Sequence, residues 1–340
     1  MEKKQPVIAD VLPTHTPELF RAAVQRAAEL LRAGEAVALP TETVYGLAAN
    51  ALDARAVERI FQIKGRPAHN PIIVHVASIG MAKRCVAHWP VLAGSLAKAF
   101  WPGPLTLVLP RAKEIPDLIT AGGPTVGVRW PSHPFIQAVI NECGFPLAAP
   151  SANLANRVSA TNAEHVRKSL GNKIRLIVDG GQAQIGIEST VLDISGAPPR
   201  LLRPGMIHEQ ALLAVTGELA VGASESQEVL KSPGLLRKHY SPRAKLVVWS
   251  WGGEAELQMR SAESGVRSSK VHVVAHTRIP SGVGFGRVSV IPHDAAAFAR
   301  AIYAELHQCD EAGAELIVVE GLPDAPEWRA IADRLRRAAA

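Results

Sequence analysis

The stretch AVALPTETVYGL, residues 36–47, joins a short apolar strand to a polar loop, and this pattern recurs through the first two thirds of the chain. The strand is AVAL at 36–39, and the loop PTETVYG follows it directly. Further strands are predicted from apolar runs at 72–77, 105–109, 125–130, 147–149, 175–179 and 189–194. Helical stretches are predicted at 17–33, 54–64, 91–99, 133–142 and 162–169. This alternation predicts an α/β domain with a substantial sheet.

The pattern dissolves between about 216 and 243, where Ser, Gly, Glu and Pro replace the apolar periods. A loop of this length is often functional. We therefore expect a domain over 1–215, a linker over 216–243 and a smaller domain over 244–340. In the second domain, strands at 245–250, 270–275, 287–292 and 315–320 alternate with helices at 254–262, 294–308 and 326–338. That order predicts a Rossmann-like α/β unit with a parallel sheet.

Composition narrows the class of protein. Of the 340 residues 47% are hydrophobic and 20% are charged, which excludes a mainly disordered chain. Cys85, Cys143 and Cys309 form no CxxC pair, which excludes a disulfide framework and a thiol-rich zinc site. The amino terminus lacks a signal-peptide core, and no apolar run reaches the length of a membrane span. We therefore expect a soluble, cytoplasmic protein with no membrane contact.

The net charge of +6 is unevenly distributed. Residues 1–208 hold 22 basic and 15 acidic residues, a net of +7, whereas residues 209–340 hold 15 and 16, a net of −1. A basic first domain fits a protein that handles phosphates or nucleic acid, and it also fits a merely solvated surface. Charge alone does not choose between these readings.

Familiar catalytic motifs are absent from the sequence. It contains no GxxxxGK[ST], HExxH, GxSxG or DxDxDG pattern. The glycine-rich segment GVGFGR at 282–287 does not complete GxGxxG, and a surface loop is its simplest interpretation. Any nucleotide must therefore be bound by another arrangement.

Polar loops gather at the strand ends of the first domain instead. KGRPAHNP (64–71) offers Lys64, Arg66 and Asn70. Thr125 and Arg129 are four residues apart, hence on one face of an extended strand. Similar loops are APSANLANRVSAT (149–161), IEST (187–190) and LLRPG (201–205). Taken singly, a Thr or Ser here can be a helix cap, an Arg can be solvated, and His75 can be a core histidine. Their convergence predicts a ligand crevice lined with phosphate-binding cations and hydroxyls.

Eight ordered motifs resemble those of the threonylcarbamoyl-AMP synthase family. They are LPTETVYGLAANA, IFQIKGRPAHNPIIVHV, WPGPLTLVLP, VGVRWPSHP, PLAAPSANLA, DGG followed by GIESTVLDI, LLRPG, and the linker motif SPGLLRKHYSPRAKL of the long, two-domain form. The resemblance implies a twisted mixed sheet around a large basic cavity, followed by a linker that acts as a lid.

The resemblance also implies a reaction and its participants. Family members convert L-threonine, bicarbonate or CO2, and ATP into threonylcarbamoyl-AMP and pyrophosphate, with Mg²⁺ accompanying the ATP. This is the first step of N6-threonylcarbamoyladenosine formation at tRNA position 37. A separate tRNA threonylcarbamoyl transferase complex receives the product, and weak tRNA binding is a further expectation.

Site residues follow by matching motif positions. For L-threonine they are Thr43, His75, Arg129, Ala149 through its backbone, and Ser189. For ATP they are Arg66, Asn70, Thr125, Ser151, Ser159, Arg203 and Tyr240. Lys64 and Arg66 are the predicted catalytic residues, as cations beside the phosphates. The resemblance identifies neither metal ligands nor a general base.

Two alternative functions stay open at this point. The first is a non-catalytic RNA-binding module that uses the basic cavity, against which stands the scarcity of exposed aromatic stacking motifs. The second is a carbamoyltransferase of hydrogenase maturation, but those proteins are much longer and carry zinc-finger cysteines.

Overall fold

The computed structural model describes residues 8–221, Pro233 and residues 238–340. The chain divides into two compact units. The first comprises Met1–Ala155, Ala160–Gln184 and Glu188–Leu235, and the second comprises Asn156–Ser159, Ile185–Ile187 and Leu236–Ala340. Two short segments of the expected first domain, 156–159 and 185–187, are thus grouped with the second unit.

The first unit is built on a mixed sheet. In its described part the strands are β1 (Asp10–Pro13), β2 (Val37–Leu39), β3 (Gly46–Asn50), β4 (Val74–His75), β5 (Leu105–Pro110), β6 (Thr125–Arg129), β7 (Leu147–Ala148), β8 (Leu176–Asp179), β9 (Thr190–Asp193), β10 (Arg200–Arg203) and β11 (Ala220–Val221). They lie in the order β1-β8-β2-β3-β7-β4-β6-β5-β9-β10-β11. The sheet contains parallel pairs such as β4–β6 and antiparallel pairs such as β5–β6, which confirms the mixed α/β expectation.

Helices pack on this sheet through apolar faces. They are α1 (Pro17–Arg32), α2 (Ala54–Lys64), α3 (Ile79–Cys85), α4 (Val91–Phe100), α5 (Asp117–Thr120), α6 (Pro134–Cys143), α7 (Ala163–Leu170) and α8 (Glu209–Thr216). Helix α2 shows how the sequence sets their bounds. Asp53 caps its first turn by accepting from the Arg55 N–H at 2.9 Å, and Gly65 ends it in the left-handed conformation at φ 60°. Lys64 is therefore the last helical residue before the 64–71 loop.

The second unit holds a four-stranded sheet. Its strands are β12 (Lys245–Trp249), β13 (Val271–Ala275), β14 (Arg287–Val290) and β15 (Leu316–Glu320), in the order β12-β15-β13-β14. All three pairings are parallel, as the sequence predicted. The helices are α9 (Glu254–Glu263), α10 (Ala295–Glu311) and α11 (Arg329–Ala338).

Several elements differ from the sequence-based expectation. The strand expected over 72–77 is only Val74–His75, and its neighbours add single backbone bonds, from the Val76 N–H to the Arg129 carbonyl and from the Ala149 N–H to the Ile73 carbonyl. The stretch 201–205, expected as a polar loop, forms most of β10, which pairs with β9. The expected linker begins with a strand, since Ala220–Val221 pairs with Arg200–Leu201. Its residues 222–232 and 234–237 lie outside the described part of the chain. Over the described residues, no helix is long and apolar enough to cross a membrane.

Candidate active site

The loop between β2 and β3 folds back on itself and buries its polar side chains. Thr41 Oγ1 donates to the Val44 carbonyl at 2.6 Å and accepts from the Thr43 N–H at 3.2 Å. This local bonding satisfies a buried hydroxyl without secondary structure. It brings Glu42 and Thr43 into the interior, at 2% and 1% exposure.

Arg129 meets this loop from the end of β6. Its Nη1 donates to Thr43 Oγ1 at 2.9 Å, and its Nε donates to the Gly103 carbonyl at 3.3 Å. Its Nη2 lies 2.6 Å from Glu42 Oε1, in an ion pair that is not aligned as a hydrogen bond. The guanidinium is 4% exposed, so both charges of the pair are removed from water. Burial, the largest single influence, would raise the pKa of Glu42, but the charge and side chain of Arg129 together with the backbone N–H groups of Ser132 and Glu42 hold that pKa below its usual value.

His75 lies on the strand next to Arg129. Strands β4 and β6 run parallel, and His75 is the register partner of Arg129. Burial, reinforced by the Arg129 charge, lowers the pKa of His75 to about 3. Its Nδ1 is buried and has no hydrogen-bond partner among the described residues. The side chain is therefore a neutral imidazole whose Nδ1 makes no hydrogen bond to the described residues. In this it differs from a core histidine whose two ring nitrogens are both hydrogen-bonded.

Ser189 and Arg203 form a second buried pair, at the junction of β9 and β10. Arg203 Nη2 donates to Ser189 Oγ at 3.1 Å, and its Nε donates to the Ser189 carbonyl at 3.0 Å. Thr106 Oγ1 lies 2.8 Å from Ser189 Oγ. The structure thus joins one residue of the predicted threonine set, Ser189, to one of the predicted ATP set, Arg203.

Lys64 is buried at the end of α2. Its Nζ donates to the carbonyls of Ser151 and Asn153, both at 2.5 Å. Burial, with a contribution from the charge of Arg66, lowers the pKa of Lys64 well below its usual value. The predicted catalytic lysine therefore fixes, through two hydrogen bonds, the backbone of the loop that carries Ser151. The Ser151 residue itself is half-buried.

Arg66 and Asn70 are held together in the loop that follows. Arg66 Nη2 donates to Asn70 Oδ1 at 2.7 Å and to the Pro71 carbonyl at 2.6 Å, while its Nε donates to the Asn70 carbonyl at 3.0 Å. The first residue of β6, Thr125, lines a cleft over the sheet together with Ile73, Thr106 and Pro233. The loop and this cleft belong to the same unit as Arg203.

The remaining predicted residues fall into two groups. Ala149 donates its N–H to the Ile73 carbonyl at 3.2 Å, so a substrate contact at this position is left to its own carbonyl. Ser159 and Tyr240 belong to the second unit. There Tyr240 adopts φ 62° and stacks on Tyr303 with ring centroids 5.9 Å apart.

Sequence reasoning missed three buried polar residues of this region: Thr41, Glu42 and Thr106. Glu42 left a signal, since it is the acidic residue of the otherwise uncharged stretch 36–50. Thr106 left a weaker one, as a hydroxyl inside the apolar run LTLVL. Each of these two residues contacts a residue that was predicted: Glu42 pairs with Arg129, and Thr106 pairs with Ser189.

The described side chains of this site do not form a cluster of metal ligands. In the part of the chain that the structure describes, no group of three or more His, Cys, Asp or Glu side chains gathers. The buried carboxylate of the site, Glu42, is paired with Arg129.

Comparisons with known proteins place the chain in a family. Residues 29–205 match the family described as "Telomere recombination", and residues 206–340 match "Threonylcarbamoyl-AMP synthase, C-terminal domain". The threonylcarbamoyl-AMP synthase of Pyrococcus abyssi is 40% identical over 319 residues, covering 93% of each chain. That of Bacillus subtilis is 41% identical over 342 residues, covering 98% of this chain and 96% of its own.

A solved structure agrees over nearly the whole length. The crystal structure of P. abyssi Sua5 complexed with L-threonine matches with a TM-score of 0.89 at 38% identity, and the match covers 98% of both chains. Both the sequence and the fold of the two units are therefore those of one family. The chain belongs to the threonylcarbamoyl-AMP synthase family, in its two-domain form.

Proposed function

We propose that this protein is an L-threonylcarbamoyladenylate synthase. The reaction is L-threonine plus bicarbonate plus ATP giving threonylcarbamoyl-AMP, pyrophosphate and water. The observation that carries the proposal is the buried Arg129–Thr43 pair beside the neutral His75, because a guanidinium, a hydroxyl and an imidazole suit an amino acid with a side-chain hydroxyl. The names of the relatives favour this synthase over an RNA-binding module.

L-Threonine is assigned to the region of Thr43, His75 and Arg129. The Arg129 fork binds the carboxylate, which is the anion whose geometry it matches. His75 stays neutral and accepts a hydrogen bond from the amine. Ser189 and the Ala149 carbonyl complete the set assigned to threonine.

ATP is assigned to the cations and hydroxyls of the other loops. Arg66, Arg203 and Lys64 supply positive charge for the triphosphate, with Asn70, Thr125 and Ser151 as polar partners. Ser159 and Tyr240, from the second unit, are assigned to the nucleotide as well. The Ser189–Arg203 bond supports two adjacent subsites, because it joins a residue assigned to threonine to a residue assigned to ATP.

The chemistry has two steps. The threonine amine, once it has lost a proton, attacks the carbon of CO2 formed by dehydration of bicarbonate. A C–N bond forms, one C–O π pair moves onto oxygen, and the nitrogen loses a second proton. A carbamate oxygen then attacks the α-phosphorus, and the bond to the β-phosphate oxygen breaks. Protein cations stabilise the pentavalent phosphorus and the leaving pyrophosphate.

Water must be excluded from both intermediates, because a carbamate and a carbamoyl adenylate hydrolyse readily. A closing segment over 216–243, with Tyr240 near its end, is our proposal for this task. Mg²⁺ enters with ATP and supplies charge neutralisation at the phosphates. We place the reaction in the cytoplasm, with the product passing to the tRNA threonylcarbamoyl transferase complex, and we expect weak tRNA binding.

Pyrophosphate release by the purified protein tests the proposal. ATP is supplied with L-threonine and bicarbonate together, with either one alone, and with L-serine in place of threonine. We expect release to require both co-substrates, with the nucleotide recovered as an adenylate and no ADP. ATP binding without threonine-dependent pyrophosphate would contradict the synthase, and salt-dependent tRNA binding would then support the RNA-binding module.

A further inference from the structure

Glu42 is a buried carboxylate that the reaction does not consume. It is 2% exposed, and neither of its oxygens makes an aligned hydrogen bond to another described side chain. An ionised carboxylate in such a place is costly unless a cation compensates it. That cation is Arg129, whose Nη2 lies 2.6 Å from Glu42 Oε1. The energetics of Glu42 therefore depend on the residue assigned to bind the threonine carboxylate.

Arg129 is fixed in three directions. Its Nε is bonded to the Gly103 carbonyl, its Nη1 to Thr43 Oγ1, and its Nη2 faces Glu42. Because the guanidinium is planar, three fixed directions determine its plane and its rotation. At least one N–H on each terminal nitrogen then remains for a ligand, because Nη1 makes one hydrogen bond and Nη2 makes no aligned one among the described residues, and bidentate recognition of a carboxylate needs such a pair.

Glu42 matters most when no substrate is bound. A buried guanidinium without a counter-charge would move toward water or toward another anion. Bicarbonate and the phosphates of ATP are anions of the same reaction, and each would compete for an unrestrained Arg129. A resident carboxylate keeps the arginine neutralised and in place until the amino acid arrives, so less ordering remains at binding.

We propose that Glu42 is the positioning residue of the amino-acid pocket: it holds Arg129 in the orientation that binds the threonine carboxylate. This inference rests on the proposed function. It also distinguishes two roles that a carboxylate here can have. A positioning residue acts through Arg129, whereas a carboxylate that contacts the substrate ammonium acts independently of Arg129.

A thermodynamic cycle on the full-length protein separates these roles. Titration calorimetry measures L-threonine binding to the wild type, Glu42→Gln, Arg129→Ala and the double variant. We expect Glu42→Gln to weaken threonine binding about tenfold, and to cause no further loss in the Arg129→Ala background. Its KM for ATP should change less than twofold. Glu35→Gln is the matched control, because it removes a half-exposed ion pair to Arg59 in the same unit.

Each outcome bears on the inference. Unchanged threonine affinity in Glu42→Gln, or an equal loss in both backgrounds, would overturn the positioning role while leaving the synthase intact. A wild type that fails to bind threonine would overturn the proposed function, and this inference with it. Circular dichroism confirms that each variant folds. Arg129→Lys, which keeps the charge but lacks the planar fork, takes the place of Arg129→Ala if that variant is unfolded.

Discussion

His75 illustrates how neighbours set the state of one residue. Its side chain is 3% exposed, and the burial that lowers its pKa to about 3 is reinforced by the positive charge of Arg129. An unfolded histidine titrates near 6.5. Between these two values the unfolded chain binds the proton that the folded chain refuses, so the free energy of unfolding falls as the pH drops from about 6.5 toward about 3.

Replacing His75 by Asn removes this acid sensitivity. We expect the wild type to lose stability steadily between pH 7 and pH 4, and His75→Asn to lose measurably less over the same range. Urea unfolding at fixed pH values, followed by circular dichroism, measures both slopes. His88→Asn is the control, since it alters an exposed histidine of the same unit. Parallel slopes for the wild type and His75→Asn would mean that His75 has the same pKa in the folded and unfolded chains, which would contradict the lowered pKa.

Residue types in polar loops were the part of the site most accessible from sequence. Arg129 and Ser189 stand in loops or at strand ends whose polarity interrupts apolar runs, and the structure pairs both with buried hydroxyls. Glu42 was not predicted, because an acidic residue is an ordinary member of a polar loop until burial is known. Its importance comes from a partner 87 residues away in sequence, which no local pattern reveals.

The β9–β10 segment sets the position of Ser189 and Arg203, and Gly205 lets it close. A Cβ at Gly205 would lie 2.4 Å from the Thr190 backbone N and 2.6 Å from Thr190 Oγ1. Real Cβ atoms do not approach backbone so closely, so any side chain must push the 203–207 turn away from β9. Thr190 Oγ1 also donates to the Ile207 carbonyl at 3.1 Å, and this bond would be stretched.

Gly205→Ala should therefore cost about 1–3 kcal/mol of stability. Because the displaced turn carries Arg203, we also expect a clear rise in the KM for ATP. Gly196→Ala is a close control, since a Cβ there meets nothing within 4 Å and the residue lies in the loop that joins β9 to β10. Urea unfolding and steady-state kinetics on both variants check the pair. If Gly205→Ala were as stable and as active as Gly196→Ala, the close approach would be irrelevant.

Elements with a strong local pattern were predicted, whereas the bounds of short ones depend on their neighbours in the sheet. Helix α2 follows from its Asp53 cap, its apolar period and Gly65. Strand β7 is only Leu147–Ala148, and it pairs with β3 on one side and β4 on the other. Its length is determined by those partners and not by residue propensity. Strand β10 is likewise determined by its partner, since it pairs with β9 although 201–205 was expected as a polar loop.

At the scale of the whole molecule, the residues proposed for threonine and for ATP are distributed differently, since Ser159 and Tyr240 of the ATP set belong to the second unit. The residues assigned to threonine all lie in the first unit. The second unit has its own parallel sheet and its own apolar core around Leu257, Val273 and Val318. Ligands of parallel sheets gather where the strands end at their carboxyl side. In this unit the end of β15 holds Glu320, which is 4% exposed.

Glu320 fills that position with a charge of the protein itself. Its carboxylate accepts from the backbone N–H groups of His276 at 2.7 Å, Thr277 at 2.8 Å and Arg278 at 3.1 Å, and from the Thr277 hydroxyl. These bonds hold the pKa of Glu320 below its usual value, although burial alone would raise it. Consecutive N–H groups of this kind bind anions. The carboxylate thus supplies the anion for these N–H groups, and we expect it to stabilise the second unit.

Glu320→Gln tests this contribution to stability. The neutral amide loses the charge-assisted bonds and turns an NH2 group toward N–H donors, so we expect a loss of about 3 kcal/mol in stability near neutral pH. Glu315→Gln, at an exposed position five residues earlier, should cost little stability.

Stability contributed by Glu320 is present above about pH 4.5 and lost as the pH falls through its lowered pKa, so the stabilities of the wild type and Glu320→Gln should converge in acid. Threonine affinity should stay within twofold of the wild type, because no residue assigned to threonine belongs to this unit. A parallel loss of threonine binding would mean that the second unit contributes to substrate recognition as well as to stability.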